Sequence, residues 1–183
     1  MKVLHDVECP VWTHPVLKKA KTDTKRGISK ILCSIELGDE AIPLLRFTKE
    51  IAADFGASVR LVHCVPEIPS IPAKYFDYDL HQSVKESVRD DIAKLQQEAG
   101  TDFPLQITEH YIAQDVAEAA TNWGADLVII GRGKAQEVFG TLRTHAYDIV
   151  RESPCPVLSF SMTSAHSKSL DREHQELKAE AAR

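Results

Sequence analysis

Gly131, Gly133 and Gly140 follow the apolar run Asp126-Leu127-Val128-Ile129-Ile130 and precede Thr141, where a helical pattern begins. A buried strand that enters a glycine loop at a helix start is one way open α/β sheets hold phosphate. Backbone N–H groups point at the anion, the helix dipole favours its charge, and glycine lets the main chain come close. In that reading the three glycines expose backbone, and Thr141 adds a hydroxyl and an N–H. Arg132, Lys134 or Arg143 then supply compensating charge. The same residues admit a plainer reading. Gly131 and Gly133 would end a strand, and Gly140 would turn the chain into a helix capped by Thr141.

The remaining reactive side chains are scattered. Cys9, Cys33, Cys64 and Cys155 include no Cys-x-x-Cys pair and sit in apolar, strand-like contexts, as reduced buried thiols do. None of the eight histidines shows a two-His helical or Cys/His finger spacing, so the sequence requires no metal. No Ser/His/Asp triad, Cys/His pair or carboxylate dyad is discernible by spacing, which leaves no positive case for an enzyme. His63 reads as a satisfied strand-end residue, His145 as an exposed helical one, and Trp123 as packing at a helix end.

The elements that must position the loop are legible as alternating patterns. Strands are expected at Lys30–Ile35, Val59–Cys64, Leu105–Ile112, Asp126–Ile130 and Pro156–Phe160. Helices are expected at Glu40–Phe55, Leu80–Ala99, Val116–Trp123 and Thr141–Arg151, with Gly56, Gly100 and Gly124 placed as C-caps. Pro43 fits only in a first turn, which sets that helix's start near Asp39. Pro66 to Asp79, rich in proline and then in aromatics, reads as a surface loop packed back on the body. Five strands alternating with four helices imply an α/β fold, a parallel sheet with helices on both faces. Ligands of such sheets bind beyond the carboxyl ends of the strands, where strand order reverses. Ser34, Ile35 and Glu36, then His63, Cys64 and Val65, then the glycine loop fall there.

Composition narrows the partners. Residues 1–26 carry six Lys/Arg against three acids and residues 162–183 four of each, leaving twelve basic and twenty acidic residues between. That acidic body disfavours nucleic acid, whose binding rests on a basic face. No apolar run approaches a membrane span and the start lacks a signal-peptide core, so a cytoplasmic protein is expected. The chain divides into an N-terminal extension (1–26), one domain (27–161) and a polar tail (162–183). Within the extension, Lys2-Val3-Leu4-His5 and Cys9-Pro10-Val11-Trp12 echo Asp148-Ile149-Val150-Arg151 and Cys155-Pro156-Val157-Leu158 at a constant offset of 146. An offset of one domain length makes residues 9–14 read as the last strand of a preceding repeat, followed by a basic linker. Such a strand would rest on the edge at Pro156–Phe160.

Ile31-Leu32-Cys33-Ser34-Ile35-Glu36, Leu61-Val62-His63-Cys64-Val65, Ala125–Gly131 and the closing Cys155-Pro156-Val157-Leu158, taken in order, resemble the universal stress protein family. The resemblance implies a flavodoxin-like, HUP-type open sheet of five parallel strands in the order 3-2-1-4-5. It also implies a homodimer or tandem-domain pairing through the last strand, here Pro156–Phe160, with Cys9–Trp12 taking part. A subset of the family binds ATP. Carried to this chain, an adenine nucleotide, ATP or another, would meet Ser34, Ile35 and Glu36, Cys64 and Val65, and Gly131, Arg132, Gly133, Gly140, Thr141 and Arg143. Glu36 stands where the family usually has Asp, and either contacts the ribose or adenine or caps the next helix. Gln114 stands where the family often places glycine before its third helix. Gly131 and Gly140 are nine positions apart, against thirteen in the ATP-binding subset, which leaves room for a smaller anion than a triphosphate. The implied function is a binding and association module. The alternatives are a structural half of a tandem protein that binds no nucleotide, and a weak ATP hydrolase or nucleotidyl enzyme.

Overall fold

The structure, a computed structural model, describes residues 9–14, 27–65, 77–132 and 141–161. Its strands are β1 (Val11–Thr13), β2 (Lys30–Ser34), β3 (Ser58–Cys64), β4 (Leu105–Thr108), β5 (Leu127–Arg132) and β6 (Val157–Ser161). Its helices are α1 (Ala41–Phe55), α2 (Asp77–Ala99), α3 (Ile112–Trp123) and α4 (Thr141–Glu152). One sheet holds all six strands in the order β1-β6-β5-β2-β3-β4. The strands from β2 to β6 pair in parallel. Leaving β1 aside, this is the expected 3-2-1-4-5 order, so the sheet is the expected one with a sixth strand added. β1 lies antiparallel on β6, with Val11 opposite Ser159, Trp12 opposite Leu158 and Thr13 opposite Val157.

Strand alternation sends successive side chains to opposite faces, and helices cover both. Ile31, Cys33, Leu61, Leu127 and Ile129 pack with Leu45 of α1 and Ile92 of α2 on one face. Leu32, Val62, Val128 and Ile130 pack with Val116 of α3 and Ile149 of α4 on the other. β2 and β5, buried on both faces, are therefore apolar over Ile31–Cys33 and Leu127–Ile130 rather than alternating. Phe160 reaches the first face and stacks on Phe47 with ring centroids 4.2 Å apart. At the opposite end of the sheet, Asp126 Oδ2 accepts from Ser29 N, Ser29 Oγ and Lys30 N at 2.8–3.0 Å, which pins the start of β2 to the start of β5. Gly56 and Gly124 close α1 and α3 in the left-handed region at φ 62° and 70°, as expected for C-caps.

Several boundaries differ from the sequence reading. The strand expected over Leu105–Ile112 stops at Thr108, and α3 starts at Ile112, four residues before Val116. Asp115 is the cause: its Oδ2 accepts from the backbone N–H of His110 at 3.1 Å and turns the chain into the helix. Gln114 consequently lies inside the first turn of α3, not before it. β5 runs past Ile130, because Gly131 and Arg132 pair with Phe160 and Ser161. α2 begins at Asp77, inside the stretch read as loop to Asp79. The N-terminal strand spans Val11–Thr13 rather than all of 9–14. The rest of the proline-rich stretch (66–76), Gly133–Gly140, the basic linker (15–26) and the tail (162–183) lie outside the described residues.

Candidate functional site

β2 sits at the switch point of the sheet: the chain leaves it outward through β3 and β4, then crosses back to β5 on its other side. The carboxyl ends of β3, β2 and β5 lie side by side there, the place where open α/β sheets open a crevice. Ser34 and Ile35 line its floor and are buried, as are Val65 and Gly131. Their backbone is held firmly. Ile35 N donates to Val62 O at 3.0 Å, and Val65 N donates to Thr108 O at 2.8 Å. His63, itself buried, fixes the Ile35 carbonyl through Nδ1 at 2.8 Å. Burial lowers the pKa of His63 from 6.5, and the bond to Ile35 offsets part of that shift.

Glu36 follows on the crevice rim, half-buried, with Glu40 at the N-cap of α1 beside it. Burial first, and the Glu40 charge second, push the Glu36 carboxyl up to about 7. Glu36 therefore keeps a proton over a range where an ordinary glutamate is ionised, and a carboxyl O–H can donate as well as accept. Glu40 also approaches Gly131. A Cβ built on Gly131 would lie 3.9 Å from Glu40 Oε2 and 3.4 Å from Leu44 Cδ2. Gly131 does not adopt a positive φ.

Cys64 ends β3 at the crevice margin. Its Sγ donates to Asp115 Oδ2 at 3.3 Å, and the exposed His110 sits 3.8 Å from Asp115 Oδ1 through Nδ1. This Cys–Asp–His cluster has the residue types of a thiol nucleophile, but the electrostatics run the wrong way. Burial and the adjoining Asp115 carboxylate help push the thiol up to about 11, so the thiolate is suppressed. Among the described residues, no group of three His, Cys, Asp or Glu is placed to hold a metal ion.

The structure gathers Ser34, Ile35, Glu36, Cys64, Val65 and Gly131 at this end of the sheet. Arg132, one residue on, takes the opposite face and donates from Nη2 to the carbonyl of Cys9 at 2.8 Å, across β6. One guanidinium nitrogen is thus engaged by the N-terminal strand. Thr141 and Arg143 lie in the first turn of α4. Gly133 and Gly140 lie outside the described residues.

Comparison with known proteins decides the lineage of this crevice. The sequence model of the universal stress protein family matches residues 27–160. The chain belongs to the universal stress protein family. No curated protein sequence matches it significantly. Solved structures do. A universal stress protein family member from Burkholderia pseudomallei is 25% identical with a TM-score of 0.54, over 73% of this chain and 96% of that one. A universal stress protein solved in complex with cAMP is 16% identical with a TM-score of 0.52, over 74% and 98%. One from Archaeoglobus fulgidus is 17% identical with a TM-score of 0.54, over 87% of this chain but 52% of that longer one.

Within this universal stress protein, sequence reasoning missed two acids that shape the site. Glu40 lies four residues after Glu36, a spacing that was visible, but its closeness to Gly131 depends on how α1 docks. Asp115 was hidden by the misplaced start of α3. An acid in a first helical turn would have flagged it had Tyr111 and Ile112 not been read as strand.

Proposed function

We propose that this universal stress protein binds an adenine nucleotide of low phosphate charge in the crevice at the carboxyl ends of β3, β2 and β5. The observation that carries the reading is that β2 and β5 pair side by side at the switch point, which brings the chain ends bearing Glu36 and Gly131 to one place. Glu36, with its carboxyl held up to about 7 by burial and Glu40, is suited to hydroxyl groups such as those of a ribose. Gly131 has neither a positive φ nor a neighbour closer than 3.4 Å to an added Cβ, so the fold itself makes little demand for glycine there. A close approach by a ligand's backbone contact does. Two acids on one rim weigh against three clustered phosphates and for a single one. The family member solved with cAMP supports a nucleotide of that kind.

Isothermal titration of the full chain with cAMP, AMP, ADP and ATP tests this. Saturable heat is expected with cAMP or AMP, and weaker binding with ATP. Absence of heat with all four at high micromolar protein would end the proposal.

A further inference from the structure

β1 and β6 are paired as two copies of one strand would be. The 146-residue echo relates Val11 to Val157, Trp12 to Leu158 and Thr13 to Ser159. The ladder sets Val11 against Ser159, Trp12 against Leu158 and Thr13 against Val157. Each residue of β1 therefore faces the neighbour that its own counterpart would face across a two-fold axis through Trp12 and Leu158. The side-chain bonds obey the same axis. Thr13 Oγ1 donates to Val157 O at 2.9 Å, and Ser159 Oγ donates to Val11 O at 3.4 Å. Replacing Thr13 by its counterpart Ser159, and Val11 by Val157, turns these two bonds into one bond made twice. That is the mark of an isologous contact, in which one patch meets itself.

We propose that β1 is an internal stand-in for β6 of a second copy of this chain, and that its occupancy of the edge decides whether two copies pair through β6. β1 is built to be displaceable. It has three residues, Trp12 is 48% exposed, and neither Val11 nor Thr13 is fully buried. Just before it, Arg132 donates from Nη2 to Cys9 O at 2.8 Å. β6 beneath it is buried from Val157 to Phe160 and anchored on its far side by β5. Removing β1 leaves an apolar edge strand with open N–H and C=O groups, which seeks a partner strand. A second β6 would bring the five-residue strand Val157–Ser161 where β1 brings three. This inference is independent of the nucleotide reading.

The test uses the full chain. The double variant Val11→Pro, Thr13→Pro removes two main-chain donors of β1 and leaves the 27–160 body untouched. With folding verified by circular dichroism, light scattering should give twice the mass of the native chain at equal concentration. A second variant, Trp12→Cys with Leu158→Cys in a Cys9→Ser background, joins residues directly opposite each other. Oxidised, it should keep the single-chain mass and run as a single chain on a non-reducing gel. Hydrogen exchange on the native chain gives a third reading that needs no variant. Val11, Thr13 and Ser159 amides should exchange together and faster than the amides of the β2–β5 ladder. A folded proline variant with unchanged mass would overturn the proposal. So would exchange of β1 as slow as that of β2 and β5.

Discussion

The imidazole of His63 donates from Nδ1 to the carbonyl oxygen of Ile35 across 2.8 Å, tying the end of β3 to the turn that carries Glu36. A carbonyl only accepts, so Nδ1 bears the hydrogen and the neutral ring leaves Nε2 as an acceptor. His63 thereby holds in place the turn that carries Glu36. Because burial lowers its pKa below 6.5, the unfolded chain takes up this proton first as pH falls. The stability that neutral His63 contributes is whole above 6.5 and is lost on acidification toward the folded value. His63→Leu should remove that acid-side slope in denaturation curves measured across pH. It also orphans a buried carbonyl and should lower stability by about 1–3 kcal/mol at pH 8. An unchanged slope would show that other groups carry it.

Glu36 works in the opposite sense. Its carboxyl is raised from 4.5 to about 7, so between those values the folded chain holds a proton that the unfolded chain has released. Stability contributed by the protonated form is whole below 4.5 and lost as pH rises through about 7. Glu36→Gln keeps a neutral side chain at every pH. It should stabilise the protein at pH 8 by roughly 1 kcal/mol or less, since solvent screens this half-buried group. At pH 4.5 the variant and the native chain should melt together. Thermal melts at the two pH values check both halves, and a gain at pH 4.5 alone would contradict the assignment.

How much of this was legible beforehand follows from the range of the forces involved. The parallel sheet and its order rest on local patterns: continuous apolar runs at Ile31–Cys33 and Leu127–Ile130, and glycines after α1 and α3. Such patterns survive in one dimension because burial on both faces constrains every residue of a central strand. The resting place of β1 was also readable, since the Cys-Pro-Val echo gives an edge strand a matching edge. Boundaries set by one long-range side chain were not. Asp115 moved the start of α3 by bonding His110 N, and no periodicity announces that. Arg132 looked like an anion ligand because it follows Gly131. Strand alternation sends it to the other face, where it meets Cys9, a residue 123 positions away.

The four thiols should separate sharply in reactivity. Cys9 is exposed, whereas Cys33 is fully buried and pushed up to about 12, and Cys155 to about 11. Cys64 is only half-buried, yet also held up to about 11 with Asp115 beside it. Near pH 8 a thiol at that value is only about 0.1% ionised, so access alone does not make it reactive. Timed alkylation with peptide mapping should label Cys9 first and Cys64 slowly. Asp115→Asn removes the negative charge and should speed labelling of Cys64 several-fold. Equal rates at Cys9 and Cys64 in the native chain would refute the electrostatic account.

Gly131→Ala distinguishes a glycine kept for a ligand from one kept for the fold. The backbone there needs no positive φ, and the new methyl would sit 3.4 Å from Leu44 Cδ2, the mobile end of a side chain. Alanine in place of glycine also narrows the unfolded ensemble, worth about 0.4–1 kcal/mol in favour of folding. That gain and the tight Leu44 contact oppose each other, so stability should change by less than about 1 kcal/mol. Binding has no such compensation. The methyl projects toward Glu40, where the proposed nucleotide would bring its phosphate close to the main chain. Affinity for cAMP or AMP should fall by roughly tenfold or more, a loss of about 1.4 kcal/mol. Titration calorimetry and thermal melts on the same preparation read the two effects separately. Unimpaired binding by a stable Gly131→Ala protein would move the ligand away from β5. A large loss of stability would instead assign Gly131 to packing.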